Sequence, residues 1–139
     1  MNKIIEKEFI EFKKYHKNIY NIYFHIVCSF IFMTFLLCNK NSNVLLIIYS
    51  LLLLFTINKL LITFIIFIIL FFMVYLVKKY NFKPENIFLL FLVFYSLPDL
   101  SHYLTNEPSM LNINNITPLS LFTNVFYFLP FTLMCLSNS

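Results

Sequence analysis

The sequence predicts an all-α protein of the polytopic integral membrane class, with about five apolar helices preceded by a short N-terminal amphipathic helix. Three observations predict it. Hydrophobic residues fill 60% of the 139 positions and charged residues only 12%, about half the charge of an ordinary globular domain. The apolar residues form continuous runs rather than alternating with polar ones, which marks buried or lipid-facing helices and not barrel strands. Short polar breaks rich in Asn and Lys separate the runs. A soluble chain this short has too large a surface-to-volume ratio to hide so many Leu, Ile and Phe side chains. Lipid solvates them directly, and a helix satisfies its own backbone there. Residues 1–139 read as a single membrane domain.

The first element is a juxtamembrane helix within residues 1–17. Lys3, Lys7, Lys13, Lys14 and Lys17 alternate with Glu6, Glu8 and Glu11, while Ile5, Phe9 and Phe12 fall on or near one helical face. The acids nearly neutralise the lysines and the chain has no Arg, so the segment is not a nucleic-acid patch. It does not read as a cleavable signal either, because the apolar run that follows starts late, is long, and lacks a small-residue cleavage site. Asn18 is an N-cap for the first apolar helix, residues 19–38, broken only by Asn21 and His25. Twenty residues suffice for a hydrocarbon core about 30 Å thick.

Residues 44–77 are almost wholly apolar. One helix of that length would reach about 50 Å, too long without extreme tilt. Asn58-Lys59 divides it into 44–57 and 60–77. A basic loop with Pro84 leads to the next apolar helix, 87–104, which Pro98 should kink. A polar loop and a last apolar helix, 119–136, complete the chain. With five spans, the N-terminal five lysines and Lys59 share one side, against Lys40, Lys78, Lys79 and Lys83 on the other. That bias points to a cytosolic N-terminus. Cys28, Cys38 and Cys135 lie in or at the ends of apolar segments without metal-finger spacing, and read as small buried residues.

Polar groups inside apolar helices are costly and therefore site candidates. Here they are Asn21 and His25, four apart on one face, and Asp99 and His102, three apart on another. His16 lies just before the first span and Glu107 just after the fourth. A carboxylate one turn from a His fixes the imidazole tautomer and raises its basicity as a ligand. His16 and His25 are nine residues apart, which on one straight helix leaves them on opposite sides. They can meet only if the chain bends near Lys17-Asn18. Each residue alone also has a structural reading: an interfacial His or Asn can bond a neighbouring helix, and Asp99 can cap the backbone that Pro98 frees. With five spans, however, the start of the first and the end of the fourth lie on one membrane side, so His16, His25 and His102 can converge; with four spans they would lie on opposite sides. Imidazole ligands with a carboxylate suit a transition metal such as non-haem iron. With no Gly in the chain, phosphate-loop, nucleophile-elbow and dinucleotide motifs are excluded.

The segment Tyr15-His16-Lys17-Asn18-Ile19-Tyr20-Asn21-Ile22-Tyr23-Phe24-His25 resembles the N-terminal signature of the small endoplasmic-reticulum 2-hydroxy fatty acid dioxygenases. Tyr15, His16, Asn21 and His25 match that signature in place. The family's second motif is Gly-His followed by Glu and Pro. Here Ser101-His102 stands for Gly-His, and Glu107-Pro108 follows with Glu107 one residue further on. The resemblance implies an enzyme that uses iron(II) and dioxygen to shorten a 2-hydroxy fatty acid by one carbon in the endoplasmic-reticulum membrane. It implies His16, His25, His102 and Glu107 as metal residues. It gives Asn21 a catalytic part, orienting His25 or the substrate head group. Asp99, beside His102, is the second catalytic candidate. Lys13, Lys14 or Lys17 would attract the substrate carboxylate. The alternative is a non-catalytic multi-span membrane protein, a degenerate relative or a helical scaffold. A channel or transporter fits less well, since internal repeats and an intramembrane charge relay are lacking. Oligomeric state and acyl-chain preference are not encoded in any feature of the sequence.

Overall fold

The computed structural model describes residues 1–38, 41–81, 96–108 and 125–137, all helices and connecting turns. In chain order these are α1 (Lys3–Lys14), α2 (Ile19–Leu37), α3 (Ser42–Ile57), α4 (Leu60–Lys79), α5 (helical residues 96–105) and α6 (Phe128–Ser137). Residues 87–95 and 119–124 of the expected fourth and fifth apolar helices lie outside the described residues.

Local signals explain the boundaries. Asn2 caps α1, its side-chain oxygen accepting from the Ile4 N–H at 3.0 Å. Asn18 caps α2 in the same way through Tyr20. Residues 15–18 carry the bend between the two helices. At the C-terminal ends of α3, α4 and α5 a residue with φ > 0 reverses the chain, a place where Gly is the usual choice. This sequence has none. Asn, the residue that next best tolerates the left-handed region, takes the role at Asn58 after α3 (φ 55), Asn81 after α4 (φ 47) and Asn106 after α5 (φ 54).

Bonds between helices set the topology. Lys78 near the end of α4 donates to Ser42 at the start of α3, and the Asn58-Lys59 turn joins their other ends. Thr34 late in α2 meets the Met73 sulfur at 3.6 Å. The Asn2 N–H at the start of α1 donates to the Thr56 carbonyl at the end of α3, at 2.8 Å. The Tyr127 hydroxyl, just before α6, reaches the Thr56 hydroxyl at 3.0 Å. So α2, α3 and α4 run up, down and up. The start of α2, the α3–α4 turn, all of α1 and the start of α6 share one end of the bundle.

The core forms where these helices meet. Leu53, Ile57, Ile66, Leu70 and Leu129 are almost wholly buried, and Phe9 and Phe12 of α1 pack on Phe131 of α6. The outer surface is apolar too. Phe55, Leu60, Leu61, Phe64, Phe71 and Phe72 are all exposed. Large apolar side chains exposed in such number are unfavourable in water and suit lipid. Two helices, α2 and α4, are long and apolar enough to cross a membrane, while α3 and the ten residues of α6 are shorter.

Candidate metal centre

The polar end of the bundle is built by α1, α2 and α5. The bend after α1 turns His16 back toward α2. Its ring stacks on Phe12 one turn earlier, with centroids 3.8 Å apart and planes 8° from parallel. Asn21 and His25 face inward from the first two turns of α2, and Ser101 and His102 come from α5. His16, His25, Asn21, Ser101 and His102 are all buried. Phe128 at the start of α6 closes the apolar side, its ring 5.0 Å from His25 and 5.9 Å from His16.

The three histidines converge. One ring nitrogen from each of His16, His25 and His102 lies within 4.8 Å of the other two. Nε2 of His25 and Nε2 of His102 are 3.1 Å apart. The His16 tautomer follows from its partner: Nδ1 sits 2.8 Å from the Phe12 carbonyl, an acceptor only, so Nδ1 carries the proton. Its Nε2 is then a lone pair, buried and without a partner. A buried unsatisfied group of this kind costs about 1–3 kcal/mol, a cost that a bound cation removes. Burial also pushes the His16 pKa down to about 4, against the smaller opposing influences of the Phe12 carbonyl and Glu107. The ring is thus neutral at pH 7, the state a metal ligand needs.

Glu107 reaches the same end by backbone geometry. Asn106 N–H bonds the Tyr103 carbonyl at 3.3 Å and Glu107 N–H bonds the His102 carbonyl at 3.0 Å, the paired bonds of a Schellman helix stop. That stop aims Glu107 at the start of α2. One carboxylate oxygen accepts from the Lys17 and Asn18 N–H groups at 2.7 and 2.8 Å. The other accepts from the Asn21 amide at 2.5 Å. Burial pushes the carboxyl upward, but the bonds from Asn18, Asn21 and Lys17 outweigh it and hold Glu107 below the ordinary carboxylate range. Ionised, it also complements the positive end of α2.

The structure therefore brings together His16, His25, His102, Asn21 and Glu107. Within that group the histidines form the set that can hold an ion, and Glu107 is occupied by N–H donors of α2 and of the residues before it. Asn21 links the parts: its amide nitrogen also lies 3.3 Å from Nδ1 of His102, and its oxygen accepts from the Ser101 hydroxyl. Asp99 is exposed and is not one of the buried side chains of the cluster. Sequence reasoning treated Ser101 only as a substitution and missed Phe12 and Phe128. A small polar residue beside a His in an apolar helix was the available signal for Ser101. The stacked Phe12 was legible only as part of an apolar face. Comparisons of the chain with protein families, with curated proteins and with solved structures found no match.

Proposed function

We propose that the chain is a multi-pass membrane enzyme that binds iron(II) through His16, His25 and His102 and acts on 2-hydroxy fatty acids with dioxygen, shortening them by one carbon. The observation that carries this reading is the convergence of three buried imidazoles, one with an unpartnered lone pair, at one end of an apolar bundle. When bound, iron(II) supplies the redox capacity to use dioxygen, which the side chains alone lack. The protein's part is placement. Phe12 and the Phe12 carbonyl fix the His16 ring and its tautomer. Glu107 ties the α5 helix stop to the start of α2, keeping His102 and His25 in register. Phe128 excludes water from one side.

The setting suits such a substrate. An acyl chain can lie along the exposed Leu and Phe side chains while its hydroxy-carboxylate head reaches the polar end, where Lys13 and Lys17 are exposed. In the bilayer, five spans with a cytosolic N-terminus place this end at the cytosolic face, and the resemblance of residues 15–25 supports the endoplasmic-reticulum membrane. The test is turnover of 2-hydroxypalmitate by purified, iron-loaded protein. Product one carbon shorter is expected, with loss of at least about 100-fold in His25→Ala; full activity in His25→Ala would overturn the site. Ser101 in place of the family's Gly favours the second reading, a non-catalytic relative. That reading predicts no turnover, and absence of bound metal with ordinary stability after all three His→Ala changes would favour it.

A further inference from the structure

Ser101 stands in an unusual hydrogen-bonding position. Its hydroxyl oxygen lies close to the Asn21 side-chain oxygen, 2.7 Å from the Pro98 carbonyl and 3.2 Å from Nε2 of His25. The first two are acceptors only. The hydroxyl has one hydrogen, which goes to one of them. What it turns toward His25 is therefore a lone pair. With the ring proton of His25 on Nδ1, Nε2 also presents a lone pair, and so does His16 Nε2. The one proton aimed at these lone pairs is on Nε2 of His102, whose Nδ1 faces the Asn21 amide donor, so lone pairs still outnumber protons and a cation would take that proton's place.

The separations around His25 Nε2 agree with one ion, and the three histidine nitrogens together lie within 4.8 Å of one another. Two ligands each about 2.1 Å from a metal and 90–110° apart are about 3.0–3.4 Å from each other. His25 Nε2 is 3.1 Å from His102 Nε2 and 3.2 Å from the Ser101 oxygen. We propose that Ser101 provides a fourth, oxygen ligand to the ion held by His16, His25 and His102. The proposal rests on the three-histidine reading and extends it. Asn21 and Glu107 act through Ser101: the hydroxyl donates to Asn21, whose amide donates to the Glu107 carboxylate. That chain ends on a negative charge and draws the hydroxyl proton away from its oxygen, making the oxygen a better donor.

Cobalt(II) is the probe, loaded into the full-length protein purified in detergent. The Ser101→Cys variant should show a thiolate-to-cobalt charge-transfer band in the near ultraviolet that the unsubstituted protein lacks. Ser101→Ala should bind cobalt(II) at least about 10-fold more weakly. A cobalt-loaded Ser101→Cys protein without that band, or a Ser101→Ala protein that binds as tightly as the unsubstituted one, overturns the serine ligand. Should Ser101→Cys fail to fold, the Ser101→Ala affinity decides. The His25→Ala variant separates the two levels. If it loses cobalt(II) while both Ser101 variants behave normally, only the serine assignment fails. If the unsubstituted protein binds no cobalt(II), the proton between His25 and His102 satisfies the pocket and the three-histidine reading fails with it.

Discussion

Helices α2 and α4 are both long and apolar enough to cross a membrane, yet they are built differently. In the most apolar stretch of α2, 44% of residues are buried inside the bundle, against 22% in α4. Helix α2 turns Asn21, His25, Ser29 and Thr34 inward, whereas Thr63 is the buried polar side chain of α4. The polar side chains of α2 do two different jobs. Ser29 and Thr34 bond carbonyls four residues back on their own helix, a local solution to which Thr34 adds a long contact with the Met73 sulfur. Asn21 and His25 instead bond residues some eighty positions away. A polar side chain in an apolar helix is informative when its partner lies on another helix.

The difference can be probed first by packing. Leu70 of α4 is fully buried and its neighbour Phe71 is half exposed. Leu70→Ala should destabilise the protein by about 2–5 kcal/mol, read as a lower melting temperature in detergent. Phe71→Ala should change it by less than about 0.5 kcal/mol. Equal losses would mean that Phe71 meets protein and not lipid.

A somewhat smaller effect is expected from pH in metal-free protein. His16 is neutral in the fold with a pKa near 4, below its ordinary 6.5. The unfolded chain binds the proton first, so this contribution to stability is complete above about pH 6.5 and shrinks as pH falls toward 4, by about 2–3 kcal/mol. Melts of chelator-treated protein from pH 8 to 4.5 should show the fall, and His16→Gln should make it shallower. A His16→Gln profile parallel to that of the unsubstituted protein would contradict the buried neutral ring.

The smallest effect belongs to Glu107→Gln. The amide can still accept one of the backbone bonds, but the charge is gone. Stability should drop by about 1–2 kcal/mol and metal affinity by about 10-fold, measured by melting and by metal titration. Unchanged affinity would leave Glu107 a helix stop without influence on the centre.

Much of the architecture was legible because lipid-compatible runs announce themselves by length. The division of 44–77 at Asn58-Lys59 and the bend at Asn18 could be read from single polar residues in apolar surroundings. The meeting of His16 with His25 followed from that bend. The role of Glu107 was hidden, because it depends on Asn106 adopting φ 54; in a chain without Gly, an Asn closing a helix was the clue. The helical spacing of Asp99 and His102 showed a shared face but not the burial of one and the exposure of the other. Ser101 was overlooked because adjacent helical residues point about 100° apart, and only the assembled bundle shows both facing α2.

Metal stoichiometry of the purified, full-length protein tests the central claim most directly. After loading with iron(II) under anaerobic conditions and removal of free ion, elemental analysis should find about one ion per chain, falling to background in His16→Ala, His25→Ala and His102→Ala alike. Unsubstituted protein that retains no ion, or a His25→Ala protein that retains as much, would contradict it.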